Sequence, residues 1–253
     1  MDASKTSYVS ATPEEPGQAP SGVASLCGEP LPLESIALPD GLELRCDDRG
    51  LTLVGDGLEL RGDFTRMLPR LRQPNLSREL LVRAARVKGV AHPMAVDATA
   101  GLGEDSLLLA AAGFTVVLCE RDPVIAALLR DALSRAAEQP LLAEAVSRMQ
   151  LVEGDGAAVL GGLEQAPDVV YLDPMFPERR KRGATNKKLQ LFQRLESPCE
   201  DEAALMNAAL EAHPRKVVVK RPLKGPYLAG IKPSSSLAGK VVRYDIVVPA
   251  PSR

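Results

Sequence analysis

Ala95-Val96-Asp97-Ala98-Thr99-Ala100-Gly101-Leu102-Gly103-Glu104-Asp105-Ser106 reads as a strand, a tight loop and the first turn of a helix. Gly101 and Gly103 admit positive φ and close backbone approach, and the helix start offers unpaired N–H groups. From here onward the chain alternates. Strands are predicted at 94–99, 115–120, 149–153, 168–173, 215–220 and 240–248. Helices are predicted near 104–112, 123–137, 141–147, 156–163, 187–195 and 201–212. Runs such as Val116-Val117-Leu118 and Val217-Val218-Val219 do not alternate with polar residues, which suits strands covered on both faces of a parallel sheet. Asp122-Pro123 marks a helix start, with Asp as cap and Pro in the first turn, and Val124/Ile125, Leu128/Leu129 and Ala132/Leu133 then give one buried stripe. The expected fold is a doubly wound, Rossmann-like α/β sheet.

Upstream, Leu42-Glu43-Leu44-Arg45, Leu51-Thr52-Leu53-Val54 and Leu58-Glu59-Leu60-Arg61 alternate with period two around Asp47-Asp48-Arg49-Gly50 and Gly55-Asp56-Gly57. This predicts a three-strand meander. A helix over Ser77 to Lys88, capped by Ser77, is expected to follow. Residues 1–32 carry Pro13, Pro16, Pro20, Pro30 and Pro32 among Ser, Glu and Gly, too little apolar surface to offset ordering. Three parts are therefore expected: a flexible lead (1–32), a small β lobe (33–66) and the main α/β domain (67–253).

With 253 residues and a formal net charge of −2, the chain can bury one sizeable core and is not a uniformly basic polyanion binder. Any nucleic acid would have to meet a local basic patch. The four cysteines lack C-x-x-C spacing, and the two histidines, His92 and His213, each precede proline. Disulfide frames, zinc sites and His-based triads are thus not expected. No signal-peptide core or membrane-length run is present in the sequence, so the expectation is a cytoplasmic monomer without a metal.

Charge decides which ligand suits the glycine loop. A dinucleotide fingerprint wants a third glycine where Ser106 stands, and Glu104 and Asp105 would face a pyrophosphate. Like charges at short range repel by several kcal/mol. S-adenosylmethionine carries an ammonium, a sulfonium and one carboxylate, and acids suit it. The competing reading of Glu104 and Asp105 is stabilisation of a helix start, worth about 0.3–1 kcal/mol. Glu120, at the end of the second strand, stands where an acid accepts hydrogen bonds from ribose hydroxyls, beside Arg121. Asp155-Gly156 follows the third strand, where such folds contact adenine; a helix N-cap is the competing reading.

The reacting group is read from Val169-Val170-Tyr171-Leu172-Asp173-Pro174-Met175-Phe176-Pro177. An exocyclic nucleobase amine is a poor nucleophile because its lone pair is delocalised into the ring. Asp173 and the Pro174 carbonyl are suited to orient such an amine, proline stiffening the loop, while Phe176 can stack on a base withdrawn from its helix. Arg179, Arg180, Lys181, Arg182, Lys187 and Lys188 follow at once, and Lys220 and Arg221 end the fifth strand at the same sheet edge. These eight residues form the expected phosphate-binding patch.

Four blocks together resemble the bacterial RsmJ family of rRNA guanine-N2 methyltransferases: Val96-Asp97-Ala98-Thr99-Ala100-Gly101-Leu102-Gly103-x-Asp105, Glu120-Arg121-x-Pro123, Tyr171-Leu172-Asp173-Pro174-Met175-Phe176-Pro177 and Val217-Val218-Val219-Lys220-Arg221-Pro222. The resemblance runs from about Met94 to Asp245. It implies a class I S-adenosylmethionine-dependent methyltransferase fold with a small N-terminal β-rich extension. It also implies action on guanine 1516 of 16S rRNA in the small ribosomal subunit. Cofactor contacts are implied at Glu104, Asp105, Glu120, Arg121, Asp155, Gly156 and Asp173; the loop reading adds Asp97, Gly101 and Gly103. Family members carry a glycine-rich stretch before the first core helix, where this chain has Arg72-Gln73-Pro74-Asn75-Leu76-Ser77-Arg78. The residues alone leave open another acceptor amine such as adenine N6, or a non-catalytic rRNA-binding assembly factor. A nicotinamide-linked dehydrogenase is disfavoured by Ser106 and the acids after Gly103.

Overall fold

The computed structural model describes residues 32–174, 191, 194–195 and 201–249. The proline-rich lead and most of the predicted helix at 187–195 therefore lie outside the described residues.

Seven strands form one sheet: β4 (Met94–Asp97), β5 (Thr115–Glu120), β6 (Met149–Glu153), β7 (Val169–Leu172), β8 (Lys216–Pro222), β9 (Ser235–Ala238) and β10 (Val242–Val247). Their order across the sheet is β6-β5-β4-β7-β8-β10-β9. The β6/β5, β5/β4, β4/β7 and β7/β8 pairs are parallel, whereas β8/β10 and β10/β9 are antiparallel. The chain winds outward from β4 through β5 to β6, then returns to the other side of β4 as β7. That reversal opens a crevice at the carboxyl ends of β4 and β7, where doubly wound sheets bind ligands.

The unalternating strands are explained by two cores. Ala95, Val116, Leu118, Val169, Tyr171, Val218 and Tyr244 face one, and Val96, Val117, Cys119, Val170, Leu172, Val217 and Val219 face the other. Helix α4 (Glu104–Ala111) covers the first face with α3 (Leu80–Ala85), and α7 (Gly156–Gly161) and α8 (Glu202–Glu211) cover the second. Helix α5 (Pro123–Ala137) starts as read, Asp122 Oδ1 accepting from the N–H groups of Val124 at 2.9 Å and Ile125 at 3.0 Å.

Two expectations need correcting, and one strand was not expected. Helix α5 buries two stripes instead of one: Leu129, Ala132 and Ala136 face the main sheet, while Val124, Ala127 and Leu128 pack on the small sheet of β1 (Leu42–Asp47), β2 (Gly50–Gly55) and β3 (Leu58–Leu60). Ser77 does not cap a helix running to Lys88. It lies inside the short α2 (Asn75–Arg78), donates its hydroxyl to the Pro74 carbonyl at 2.8 Å, and α3 starts anew two residues later. The predicted strand at 240–248 is the inner strand of a hairpin whose partner, β9, has no apolar run to announce it. A 3₁₀ turn at Phe64–Met67 and helix α1 (Leu68–Leu71) fill the link to α2.

Candidate active site

The β4–α4 loop is fixed from beneath by two buried acids. Asp97 Oδ1 accepts the Thr99 N–H at 3.2 Å and Oδ2 accepts the Ser106 hydroxyl at 2.5 Å. Ser106, wrong for a dinucleotide fingerprint, is thus the anchor of the first turn of α4. Burial pushes the Asp97 carboxyl up to about 7. Glu120, 4% exposed, uses Oε2 to accept the Gly101 N–H at 2.9 Å and Oε1 to accept the Asp122 N–H at 2.8 Å. It ties β5 to the glycine loop, and burial raises it to about 7 as well. The Arg121 backbone N–H adds a third hydrogen bond to the same carboxylate. Gly103, at φ 75°, caps α4 with its face against Leu129 and Phe64. Glu104 and Arg121 are exposed on the same rim.

Asp155 settles into the N-cap of α7, Oδ1 accepting from Ala157 N at 3.0 Å and Ala158 N at 3.1 Å. Gly156 next to it lies so close to β4 that a Cβ there would stand 2.2 Å from the Ala98 carbonyl oxygen. The β6–α7 turn therefore closes directly onto the glycine loop.

Across the crevice, the Asp173 N–H donates to Thr99 Oγ1 at 2.7 Å, tying the end of β7 to the end of β4. Lys220 Nζ donates to Asp105 Oδ2 and to Asp173 Oδ2, both at 2.8 Å, and the Tyr171 hydroxyl donates to Asp105 Oδ2 at 2.6 Å. Tyr171–Asp105–Lys220–Asp173 is thus one continuous network at the carboxyl ends of β7 and β8. Burial raises the Asp173 carboxyl while Lys220 pulls it back down. The two carboxylates hold the Lys220 ammonium firmly protonated. The Asp173 side chain remains 36% exposed, and its contact with Lys220 is made through Oδ2.

Sequence reasoning assigned Lys220 and Arg221 to phosphate; the fold gives both other work. Lys220 is a counter-ion inside the site. Arg221 is 1% exposed, donates Nε to the Pro226 carbonyl at 2.8 Å and pairs with Glu202 at 3.5 Å. With Arg243, which bonds Asp245 and the Pro222 and Leu223 carbonyls, it pins the turn after β8. Burial removes Arg221 from any RNA surface. Thr99 and Tyr171 join this hydrogen-bonded network, and sequence reasoning gave neither a role; a hydroxyl inside an otherwise apolar strand was the available signal for Tyr171. Phe176, Arg179, Arg180, Lys181, Arg182, Lys187 and Lys188 lie outside the described residues. Among the described residues, no group of three His, Cys, Asp or Glu is arranged to hold a metal ion, and no helix is long and apolar enough to cross a membrane.

Comparison with known proteins agrees with this geometry. Residues 41–249 match the family model described as "Putative SAM-dependent methyltransferase". The chain is 42% identical over 227 residues to "Ribosomal RNA small subunit methyltransferase J" of Thioalkalivibrio sulfidiphilus, covering 87% of this chain and 88% of that protein. The chain belongs to the ribosomal RNA small subunit methyltransferase J family. The family protein of Neisseria meningitidis serogroup C is 40% identical over 206 residues, 80% of this chain and 82% of its own. Among solved structures, the crystal structure of a SAM-dependent methyltransferase from Neisseria gonorrhoeae superposes with a TM-score of 0.69 at 34% identity, covering 86% of this chain and 87% of that one.

As a member of this family the chain uses S-adenosylmethionine. Its own residues fit that cofactor: a glycine loop on which the β6–α7 turn packs with no room for a side chain at Gly156, a buried acid at Glu120 tying that loop to the end of β5, and the acids Glu104 and Asp105 in the first turn of α4. A pyrophosphate would meet Glu104 and Asp105 instead.

Proposed function

We propose that this chain methylates the N2 amine of a guanine in small-subunit ribosomal RNA, the acceptor being guanine 1516 of 16S rRNA. The names of its relatives support rRNA as substrate. The single observation that carries the amine chemistry is the Asp173 carboxylate, held through Oδ2 by Lys220 and still 36% exposed, at the crevice where β4 and β7 part.

Bound S-adenosylmethionine supplies an electrophilic methyl group on a sulfonium. The chain's contribution is positioning. Asp173 Oδ1 accepts one N–H of the acceptor amine and the Pro174 carbonyl accepts the other, which favours a pyramidal nitrogen with an available lone pair. Lys220 keeps Asp173 anionic against burial, so that it accepts rather than donates. Thr99 fixes the backbone of Asp173 at the end of β4, so the carboxylate is aimed by two strands. Phe176 stacks on the base, and Asp97, Gly101, Gly103, Glu104, Asp105, Glu120, Arg121, Asp155 and Gly156 form the cofactor cradle, with Glu120 taking the ribose. Arg179, Arg180, Lys181, Arg182, Lys187 and Lys188 take RNA phosphates. The protein works in the cytoplasm as a monomer, without a metal.

The test is transfer of labelled methyl from S-adenosylmethionine to small ribosomal subunits from a strain lacking this protein, with mass identification and mapping of the product. N2-methylguanosine at one site is expected. N6-methyladenosine would move the acceptor to adenine; no product on subunits or free rRNA would sink the proposal.

A further inference from the structure

Residues 64–88 carry seven Arg and Lys against one acid, Glu79, in a chain whose formal net charge is −2. This is where α1, α2 and α3 link the small sheet to the main one. The apolar side of the segment is consumed by the core, with Leu76, Leu81, Ala84 and Ala85 buried. The cations are left outside: Arg78 in α2 and Arg83 in α3, with Arg66, Arg72, Arg86 and Lys88 in the turns around them, are all exposed. Arg70 donates Nε and a terminal nitrogen to the two Glu79 oxygens at 2.8 and 2.9 Å, and Arg66 is paired at 3.2 Å with Asp63 just before the segment, so Arg72, Arg78, Arg83, Arg86 and Lys88 carry the remaining charge. The resulting field is positive on a protein that is negative as a whole.

At the head of this face a cleft of about 490 Å³ opens between α1–α3 and β10, lined by Arg70, Asn75, Arg78, Glu79, Val242 and Tyr244. The cleft is open to solvent, which suits one edge of a nucleotide in a strand and not an enclosed small ligand. Tyr244 is its link to the chemistry: on β10 it pairs directly with Lys220 on β8, and both project to the face that carries Asp105 and Tyr171. The inner wall of the cleft is therefore one strand pairing away from the Lys220–Asp173 contact.

We propose that the exposed face of residues 64–88 is a phosphate-binding surface for the substrate RNA, and that the cleft at its head seats a nucleotide of the strand being methylated. This rests on the reading of the substrate as RNA. The surface is distinct from residues 179–188, and its guanidinium groups suit phosphate oxygens.

The experiment uses the full chain and compares Arg72→Glu/Arg78→Glu/Arg83→Glu, the corresponding triple Lys variant, and Asn75→Trp, which fills the cleft. Affinity for 16S rRNA is measured against salt, affinity for S-adenosylmethionine separately, and methyl transfer to small subunits last. The triple Glu variant is expected to weaken RNA binding at least about tenfold and to flatten the log K against log salt slope by about 2 to 3. The triple Lys variant is expected to stay within about threefold, because it keeps the charge. Asn75→Trp is expected to raise KM for RNA about tenfold or more, and cofactor affinity is expected to hold in all three. Unchanged RNA affinity and slope in the triple Glu variant would overturn the proposal, as would an equal loss from Arg45→Glu on the small sheet. If the unaltered chain binds rRNA through this face but methylates no guanine, the functional reading fails and the surface stands.

Discussion

Lys220 Nζ donates to Asp173 Oδ2 at 2.8 Å, joining the end of β8 to the loop after β7. The same ammonium reaches Asp105 Oδ2 at 2.8 Å, so a single cation serves the acid at the start of α4 and the acid at the proposed reacting end. Burial raises Asp173 and Lys220 opposes it. Lys220→Met is therefore expected to raise Asp173 further and to move the acid limb of the pH dependence of kcat/KM to higher pH. The sign follows from the need for an anion: activity falls as pH drops through the raised pKa. A loss of about 10²–10³ near neutral pH is expected, partly recovered in more alkaline buffer. A uniform loss with no shift of the limb would refute this role.

Asp173→Ala is expected to abolish methyl transfer while RNA affinity stays within severalfold, since the proposed role of the side chain is toward the amine and not the phosphates. Single-turnover transfer together with filter binding separates the two. Full activity in this variant would remove Asp173 from the mechanism.

Glu120, raised to about 7 by burial, is largely protonated in mildly acidic solution. Accepting ribose hydroxyls favours the anion, so affinity for S-adenosylmethionine is expected to increase as pH rises through about 7, with proton release on binding. Calorimetry in buffers of different ionisation enthalpy reads that proton directly. The same shift carries a stability consequence of opposite sign: a carboxyl with a raised folded pKa stabilises the fold below its unfolded pKa, and that contribution is lost as pH rises toward about 7.

Gly156→Ala places a methyl against the Ala98 carbonyl, within 2.2 Å of its oxygen. Backbone cannot step aside cheaply there. A loss of about 1–3 kcal/mol in unfolding free energy is expected, with weaker cofactor binding, because the strained contact sits where the β6–α7 turn meets the glycine loop. Denaturant unfolding with and without S-adenosylmethionine measures both.

Arg221→Met is expected to lower stability by about 1–3 kcal/mol, because it removes the 2.8 Å bond to the Pro226 carbonyl, which keeps only a 3.5 Å contact from Arg243, and the pairing with half-buried Glu202, and to leave the salt dependence of RNA binding unchanged. A flatter salt slope at unchanged stability would return Arg221 to the RNA surface.

Much of this was legible in the sequence because it is local. Period, glycine spacing and the Asp122-Pro123 cap depend on residues a few positions apart, and each constrains backbone and burial directly. The strands β4 to β8, the loop at Gly101 and Gly103 and the acid ending β5 could be read that way. Charge selected S-adenosylmethionine over a dinucleotide by the same local logic, since Glu104 and Asp105 adjoin the helix start whatever the rest of the chain does.

What tertiary structure alone decided is which groups meet. Lys220 and Arg221 are neighbours in sequence and look interchangeable as cations, yet strand alternation sends one to Asp105 and Asp173 and the other into the packing beneath the turn after β8. Ser106 and Asp97, nine residues apart, become partners only when α4 folds back over β4. The second stripe of α5 has meaning only once the small sheet lies on it. Sequence fixes what each residue offers, because chemistry belongs to the side chain; the fold decides what it is offered to, because distance and burial belong to the packed chain.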